Sequence, residues 1–196
     1  MHRLLELPNA LELILRPESA LEKDLIAIPT FQFGMLWGEP RFGHPEGKVA
    51  LHVREVLDNI DRIPALPAHQ RAQLRLIAFA HDTFKYAEDR SRPRDWSRHH
   101  GMLARKFMET YTNDRVVLDV IETHDDAFYA WRRERHLASD TLENTGKALG
   151  PLLERMDYCI QTYYLFFKCD TRTGDKTQAP VKWFEERVKG INLTDI

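Results

Sequence analysis

Residues 74–86, LRLIAFAHDTFKY, decide the fold. Leu74 and Ile77 stand three residues apart on one helix face, and His81 continues that face one turn later. Asp82 follows immediately. A buried carboxylate beside a buried imidazole needs compensation, because an isolated charge in an apolar interior is costly. The stretch therefore predicts a helix that carries ionisable side chains into a helical core.

Helical periodicity runs through most of the chain. It predicts helices at about residues 9–16, 18–28, 46–61, 68–83, 98–111, 114–126, 150–169 and 180–189. No stretch shows the alternation of apolar and polar residues that is typical of a half-buried strand. The expected fold is therefore all-α.

A single domain is expected over residues 1–196, since no low-complexity linker divides the chain. Its core is expected at about 44–170, with helices and a loop in 1–43 before it. A turn and a short helix in 171–196 are expected to follow.

The composition is that of an ordinary globular protein. The 196 residues are 43% hydrophobic and 30% charged, and 28 Lys+Arg against 30 Asp+Glu give a net charge of −2. This balance argues against nucleic acid as a partner, while local basic patches stay open. No signal peptide and no run of about 18 apolar residues is found, so no membrane span is expected. With only Cys159 and Cys169, a cytoplasmic protein with reduced thiols is favoured.

Histidines and aspartates stand on the apolar faces of five predicted helices. They are His52 in 46–61, His81 and Asp82 in 68–83, His100 in 98–111, His124 in 114–126 and Asp157 in 150–169. No Lys or Arg lies on those faces to pair with them. A single such histidine is more often a hydrogen-bonded core residue, whereas a convergent set of histidines and carboxylates suits a divalent cation. The six residues together predict a metal site.

The order of these residues resembles the HD superfamily of metal-dependent phosphohydrolases. That family has a first His, a His-Asp doublet on the next helix, two further histidines and a final Asp. The matching residues are His52 in HPEGKVALHVREVL, His81-Asp82 in LRLIAFAHDTFKY, His100 in HHGMLARKF, His124 in VIETHDD and Asp157 in LLERMDYCI. The segment LWGEPRFGHPEGKVALH is similar to the start of the HD domain of bacterial CCA-adding enzymes. The sequence shows no counterpart of the nucleotidyltransferase head of those enzymes, so we expect a stand-alone HD protein.

The resemblance implies an HD-type helical bundle that binds one or two divalent metal ions, which are Mn, Mg, Ni, Co, Zn or Fe. It implies a phosphohydrolase, either a phosphomonoesterase or a phosphodiesterase, that acts on a nucleotide or a similar small phosphate ester. In many members of the family, Gly-Lys follows the His-Asp doublet after one further residue. This chain keeps the lysine, as Lys85, but has Phe84 at the position of the glycine. This departure weakens the likeness to the cyclic-dinucleotide branch of the family.

The family pattern also implies roles for the matching residues. The first metal is held by His52, His81, Asp82 and Asp157. His100 and His124 either complete a second metal site or bind the substrate phosphate. Asp82 is a catalytic residue that takes a proton from the attacking water. Lys85, one turn beyond Asp82, is the expected phosphate contact and catalytic partner, or else a solvated loop lysine.

Two other functions fit the same residues. A few HD-fold proteins are di-iron oxygenases and use the same ligand types. A non-catalytic module, in which a metal staples the helices and a nucleotide is sensed, is the third possibility. Retention of the whole ligand set argues against a mere scaffold. Metal identity, the number of ions, the substrate and the oligomeric state are left open by the sequence.

Neighbours of the expected ligands carry weaker predictions. His99 points about 100° away from His100 on a helix, so we expect it in solvent. Asp125 either orients His124 or is a polar residue at a helix end. In residues 125–136, DDAFYAWRRERH, an aromatic ring either stacks on a nucleobase beside an arginine or packs between helices.

Overall fold

The computed structural model describes residues 7–137 and 148–196. Its helices are α1 Leu7–Leu15, α2 Ala20–Ala27, α3 Pro29–Leu36, α4 Val49–Asp61, α5 Ala68–Ala80, α6 His100–Met108, α7 Arg115–Thr123, α8 Asp126–Leu137, α9 Gly150–Met156, α10 Ile160–Thr171 and α11 Ala179–Arg187. Short 3-10 turns lie at Lys85–Ala87, Trp96–Arg98 and Asp157–Cys159. Neither described range contains a strand, so the all-α prediction is confirmed for them.

The helices that carry the predicted ligands pack around one apolar core. Helix α4 contacts α5 and α10, α5 contacts α7, and α7 contacts α6. The apolar faces predicted for α4, α5 and α7 are the buried ones, with Val53, Val56, Leu57, Leu74, Ile77, Ala78, Val117, Val120 and Ile121 all inaccessible to solvent. Burying a side chain of valine or leucine size contributes about 1.5–3 kcal/mol, so these faces fix how the helices meet.

Local sequence sets where two of these helices begin. Helix α7 follows Asp114, whose carboxylate accepts hydrogen bonds from the N–H groups of Val116 and Val117. Helix α6 follows His99, whose ring Nδ1 accepts a hydrogen bond from the Gly101 N–H. The predicted start at residue 98 is therefore too early, because His99 caps the helix instead of belonging to it.

The helix predicted at 150–169 is interrupted by the 3-10 turn Asp157–Cys159. At Cys159 the backbone has φ −143°, outside the helical region, so α10 does not continue the rotation of α9. The face that α10 buries is therefore not the one predicted by extending the helical period of α9 without a break. Asp157 is exposed, while Asp170 in the last turn of α10 turns towards the other helices with its side chain only 18% exposed.

Helices α3 and α8 are not predicted by the sequence pattern. Pro29, which directly follows the predicted helix 18–28, occupies the first turn of α3, where its missing N–H costs nothing. Gly34 of α3 lies so close to Thr83 that a Cβ at this glycine would overlap the Thr83 carbonyl oxygen. This contact places α3 directly against the residues that follow α5.

Both cysteines are buried, and neither forms a disulfide, as expected. Within residues 7–137 and 148–196, no helix is at once long and apolar enough to cross a bilayer.

Candidate metal centre

The first site consists of four side chains from helix ends: His52, His81, Asp82 and Asp170. His52 lies in the first turn of α4, His81 and Asp82 directly follow α5, and Asp170 is in the last turn of α10. His52 Nε2 lies 2.9 Å from Asp170 Oδ1 and 3.3 Å from His81 Nε2. Asp82 Oδ2 lies 3.4 Å from His81 Nε2 and 3.6 Å from His52 Nε2. Ligand atoms about 2.1 Å from one cation stand roughly 3.0–3.4 Å apart, so this spacing suits a metal ion.

The second site consists of His100, His124, Asp125 and the same Asp82. His100 is the first residue of α6, and His124 and Asp125 directly follow α7. The Nε2 atoms of His100 and His124 are 3.1 Å apart. Asp82 Oδ1 lies 3.4 Å from His100 Nε2 and 3.6 Å from His124 Nε2, and Asp125 Oδ2 lies 3.4 Å from His100 Nε2. Asp82, His100 and His124 lie within the distances that a shared cation requires.

Asp82 joins the two sites. Its Oδ2 faces the first pair of histidines and its Oδ1 faces the second pair. The residue is 2% exposed, and Oδ1 is buried without a hydrogen-bond donor. A buried carboxylate oxygen without a partner costs about 1–3 kcal/mol or more. A cation between this oxygen and the imidazole lone pairs would remove that cost, so the residues present fit divalent metal ions.

The outer nitrogens of two histidines are fixed by the backbone. His81 Nδ1 lies 3.0 Å from the Ala78 carbonyl oxygen, and His124 Nδ1 lies 2.8 Å from the Ile121 carbonyl oxygen. A carbonyl oxygen only accepts, so both Nδ1 atoms carry the hydrogen. In the neutral form of each ring, Nε2 is then the nitrogen with the lone pair and it faces the centre, which is the tautomer that a metal ligand requires.

The other two histidines face a carboxylate at the same position. His52 Nδ1 lies 3.4 Å from Glu46 Oε1, and His100 Nδ1 lies 3.4 Å from Glu88 Oε1. Both glutamates come from loops, and their side chains are 5% and 7% exposed. Neither Nδ1 atom has a hydrogen-bond partner within the described part of the chain. A hydrogen bond formed between the ring and the neighbouring carboxylate would orient the ring and make the ligand nitrogen more basic. Sequence reasoning misses both glutamates, because no helical period links a loop residue to a helix residue.

Two lysines balance the aspartates. Lys85 Nζ lies 2.5 Å from Asp82 Oδ2, and Lys176 Nζ lies 3.2 Å from Asp170 Oδ1. The sequence singles out Lys85 but gives no role to Lys176, which stands in the turn after α10. Each lysine therefore neutralises one carboxylate of the first site.

A cavity of about 320 Å³ opens onto both sites. Its polar wall includes Asp82, Lys85, His124, Asp125, Asp170 and Lys176, and its apolar wall includes Phe42, Phe128 and Phe167. The volume is sufficient for a small ester. The two lysines place positive charge at the wall where the metal ligands lie.

The charges of the neighbours keep the two aspartates of the first site ionised. Burial opposes the ionisation of Asp82, but the neighbouring His81 ring and the Lys85 ammonium hold its pKa well below the usual range. Burial likewise opposes the ionisation of Asp170, whose pKa the Lys176 ammonium holds well below the usual range. Both carboxylates are thus available as ligands.

The two histidines that follow helix ends differ in charge. Burial lowers the pKa of His81, which favours the neutral form that binds metals. Burial also acts against the charged form of His124, but the carboxylates of Asp125 and Asp82 raise its pKa to about 9. The second site thus holds an excess of negative charge, which either a proton or a cation balances.

The structure corrects the prediction for Asp157. This residue is exposed, at the start of the 3-10 turn between α9 and α10, and it does not join the other ligands. Asp170 takes its place because the helix break changes which residues of α10 face inward. The signal for Asp170 is present in the sequence, since it follows the buried Phe166 by four residues and the buried Tyr163 by seven.

The structure also corrects the prediction for His99. It is 6% exposed, its ring centroid lies 4.2 Å from that of His100, and its Nε2 lies 3.2 Å from the Tyr129 hydroxyl. The expected angle of about 100° applies to two residues in one helix, whereas His99 is the cap and has an extended backbone. Burial lowers the pKa of His99 to about 4, so it is neutral at pH 7.

Of the predicted ligands, His52, His81, Asp82, His100 and His124 come together, and Lys85 contacts them through Asp82. Comparisons of the chain with family models, with curated proteins and with solved structures find no match. The order of the residues along the chain and their convergence in space therefore carry the whole case for this centre.

Proposed function

We propose that the chain is an HD-type phosphohydrolase that uses two divalent metal ions, one in each site. The observation that carries the proposal is Asp82, a buried carboxylate whose two oxygens face two separate pairs of histidine Nε2 atoms. A pair of cations a few ångströms apart suits the in-line displacement of a phosphate ester. When bound, such ions supply Lewis acidity and lower the pKa of a coordinated water towards neutrality.

The two lysines bind the substrate phosphate. Burial opposes the charge of Lys85, but Asp82 raises its pKa, so the ammonium stays charged at the cavity wall. Lys176 lies at the same wall beside Asp170. Both ammonium groups act as point charges on the oxygens of the phosphate and orient it for attack.

Asp125 orients the attacking water. Its side chain is 26% exposed and lines the cavity, whereas both oxygens of Asp82 are turned to the histidines. An ionised carboxylate at an open wall accepts a hydrogen bond from water and holds the lone pair in the direction of the phosphorus. The proposal therefore gives Asp125 the role towards water that the sequence assigned to Asp82.

The apolar part of the wall receives the leaving group. Phe42, Phe128 and Phe167 line the same cavity as the two lysines. Apolar rings next to a polar end suit a small ester with a phosphate at one end and a flat or apolar group at the other. A nucleotide is one such ester.

Metal reconstitution followed by an activity screen tests the proposal. The purified protein is stripped with a chelator and reloaded in turn with Mn, Mg, Ni, Co, Zn or Fe, and release of p-nitrophenol from its phosphate monoester and diester is measured. We expect hydrolysis of at least one ester with at least one metal, and none after stripping. If the protein binds metal but hydrolyses neither ester with any of the six metals, the proposal is contradicted.

The variants D82A and D157A form a matched pair for this screen. Both remove the carboxylate of an aspartate, but Asp82 is buried between the sites and Asp157 is exposed. D82A should lose metal and activity, and D157A should keep both. Equal behaviour of the two variants would show that Asp82 does not hold the ions.

A further inference from the structure

A second pocket, of about 400 Å³, lies beside the cavity on the surface of α8. Its wall consists of Phe128, Trp131, Arg132 and Arg135. Among the described residues, two aromatic rings and two guanidinium groups thus face one space, and no carboxylate lines it. Phe128 also lines the cavity at the metal centre, so this ring is a wall that the two spaces share.

The arginines of this pocket are held over its rings. The guanidinium carbon of Arg132 lies 5.8 Å from the centroid of the Phe128 ring, and that of Arg135 lies 5.0 Å from the Trp131 ring. The two rings have their centroids 5.7 Å apart at an angle of 32°. Stacking on a ring orients a guanidinium but leaves its charge and its N–H donors available to a ligand.

The positive charge of this pocket is not balanced by the described residues. Within residues 7–137 and 148–196, no carboxylate forms an ion pair with Arg132 or Arg135. The acidic neighbour on the same helix, Glu134, contacts Arg187 and the Trp183 indole N–H. By contrast, Arg105 is paired with three carboxylates and Arg155 with two. Guanidinium groups beside open rings suit a phosphate attached to a flat base.

We infer that this pocket binds the part of the substrate beyond the scissile phosphate, namely a flat ring with a second phosphate. The inference rests on the proposed function and narrows its substrate class. An ester with one phosphate needs only the cavity with Lys85 and Lys176, whereas a ligand that crosses the Phe128 ring reaches Arg132 and Arg135. Two sources share this chemistry, a small nucleoside bisphosphate and the phosphorylated end of a single-stranded oligonucleotide.

Steady-state kinetics of the metal-loaded enzyme test the inference. The substrates are adenosine 5′-monophosphate, adenosine 3′,5′-bisphosphate and a 5′-phosphorylated pentanucleotide, and phosphate release is measured. We expect kcat/KM for one of the extended substrates to exceed that for the monophosphate by about tenfold or more. The double variant R132Q/R135Q should abolish most of this preference. A gain with the bisphosphate alone identifies a small molecule, and a further gain with the pentanucleotide identifies a nucleic acid end.

The variant R133Q is the matched control. Arg133 lies on the same helix and is exposed, but it lines a different pocket with Trp96 and Tyr129. Its preference for extended substrates should equal that of the wild type. The inference is overturned if R133Q and R132Q/R135Q have the same preference, or if the wild type has none.

A binding measurement separates this inference from the proposed function. The fluorescence anisotropy of a labelled, phosphorylated pentanucleotide is followed with the chelator-treated wild type and with R132Q/R135Q. Affinity should fall about tenfold in the double variant, and the slope of log K against log salt should become shallower by roughly 0.7 for each phosphate that the protein no longer neutralises. Binding that depends on these arginines, without hydrolysis of any ester, would leave the pocket in place and refute the proposed function alone. Equal binding by both proteins would refute the pocket.

Discussion

Two clusters of charged side chains, one around Asp119 and one around Asp82, differ in how their charges are satisfied. Asp119 in α7 accepts hydrogen bonds from Arg105 at 2.5 Å, from Arg155 at 3.2 Å and from the Tyr158 hydroxyl at 2.8 Å. At the metal centre, the buried Oδ1 of Asp82 has no donor. The protein alone therefore supplies the hydrogen bonds that the Asp119 carboxylate needs, but it does not supply those that the Asp82 carboxylate needs.

The difference follows from the side chains that surround each carboxylate. Arginine carries a permanent charge and several N–H donors, so it compensates a buried carboxylate by itself. The four histidines at the metal centre turn their Nε2 atoms towards the aspartates, and in His81 and His124 a carbonyl oxygen holds the hydrogen on Nδ1, so that Nε2 is the nitrogen left to bind a cation. Either a proton or a metal cation balances the charge between these nitrogens and the carboxylates. We therefore expect metal removal to affect the second cluster and to leave the first intact.

The largest expected effect is that of metal on stability. Ions that bind only the folded chain stabilise it by about 2.7 kcal/mol at a hundredfold excess over Kd, so a chelator should lower the Tm of the wild type. D82A should have a lower Tm than the wild type and should not respond to the chelator, because its sites no longer hold ions. Differential scanning calorimetry with and without chelator measures both effects. An unchanged wild-type Tm would contradict this comparison of the two clusters.

The next largest effect distinguishes Asp170 in α10 from Asp157, the aspartate that the sequence pattern predicted as a ligand. Asp170 belongs to the first site, whereas Asp157 is exposed. D170N should bind one metal ion per chain, whereas the wild type and D157N should each bind two. Elemental analysis after gel filtration gives these numbers. A loss of metal in D157N together with full occupancy in D170N would restore the sequence-based assignment.

A smaller effect is expected from the glutamates at the outer nitrogens. Losing the carboxylate partner of a histidine ligand weakens metal binding by about 10- to 100-fold, so E46Q should raise the Kd of the first site and E88Q that of the second. Titration with a competing metal indicator measures both constants. The control is E39Q, because Glu39 is exposed and, among the residues that the structure describes, pairs only with Lys48. Equal Kd values for all three variants would show that the glutamates do not position the histidines.

The smallest effect concerns the cluster around Asp119. Burial opposes the ionisation of Asp119, but its bonds to Arg105, Tyr158 and Arg155 lower its pKa to about 2. Its contribution to stability is therefore present above the unfolded pKa of about 3.9 and is lost as the pH falls towards 2. D119N should be less stable than the wild type by about 1 kcal/mol at pH 7, after allowance for solvent screening. Urea unfolding should show this difference shrinking from pH 5 to pH 3, and a constant difference would contradict the assignment.

The sequence predicts the part of the site that lies within single helices. His52, His81, His100 and His124 each continue the apolar face of their own helix, so a local period is sufficient to place them. Asp82 is found as the neighbour of His81. The all-α class follows from the same period, although α3 and α8 are missed.

The parts that fail depend on breaks and on loops. Asp170 is missed because the 3-10 turn Asp157–Cys159 interrupts a helix that the pattern treats as continuous. Glu46, Glu88 and Lys176 reach the site from loops, where side-chain direction depends on tertiary packing and not on a period. The local sequence does not show how far these loop residues lie from the histidines.

Anomalous diffraction from crystals of the manganese-loaded protein tests the central claim most directly. The account predicts two peaks about 3.5–4 Å apart, one on each side of the Asp82 carboxylate, with His52, His81 and Asp170 at one peak and His100 and His124 at the other. A single peak away from Asp82, or no peak among these residues at full metal loading, would contradict it.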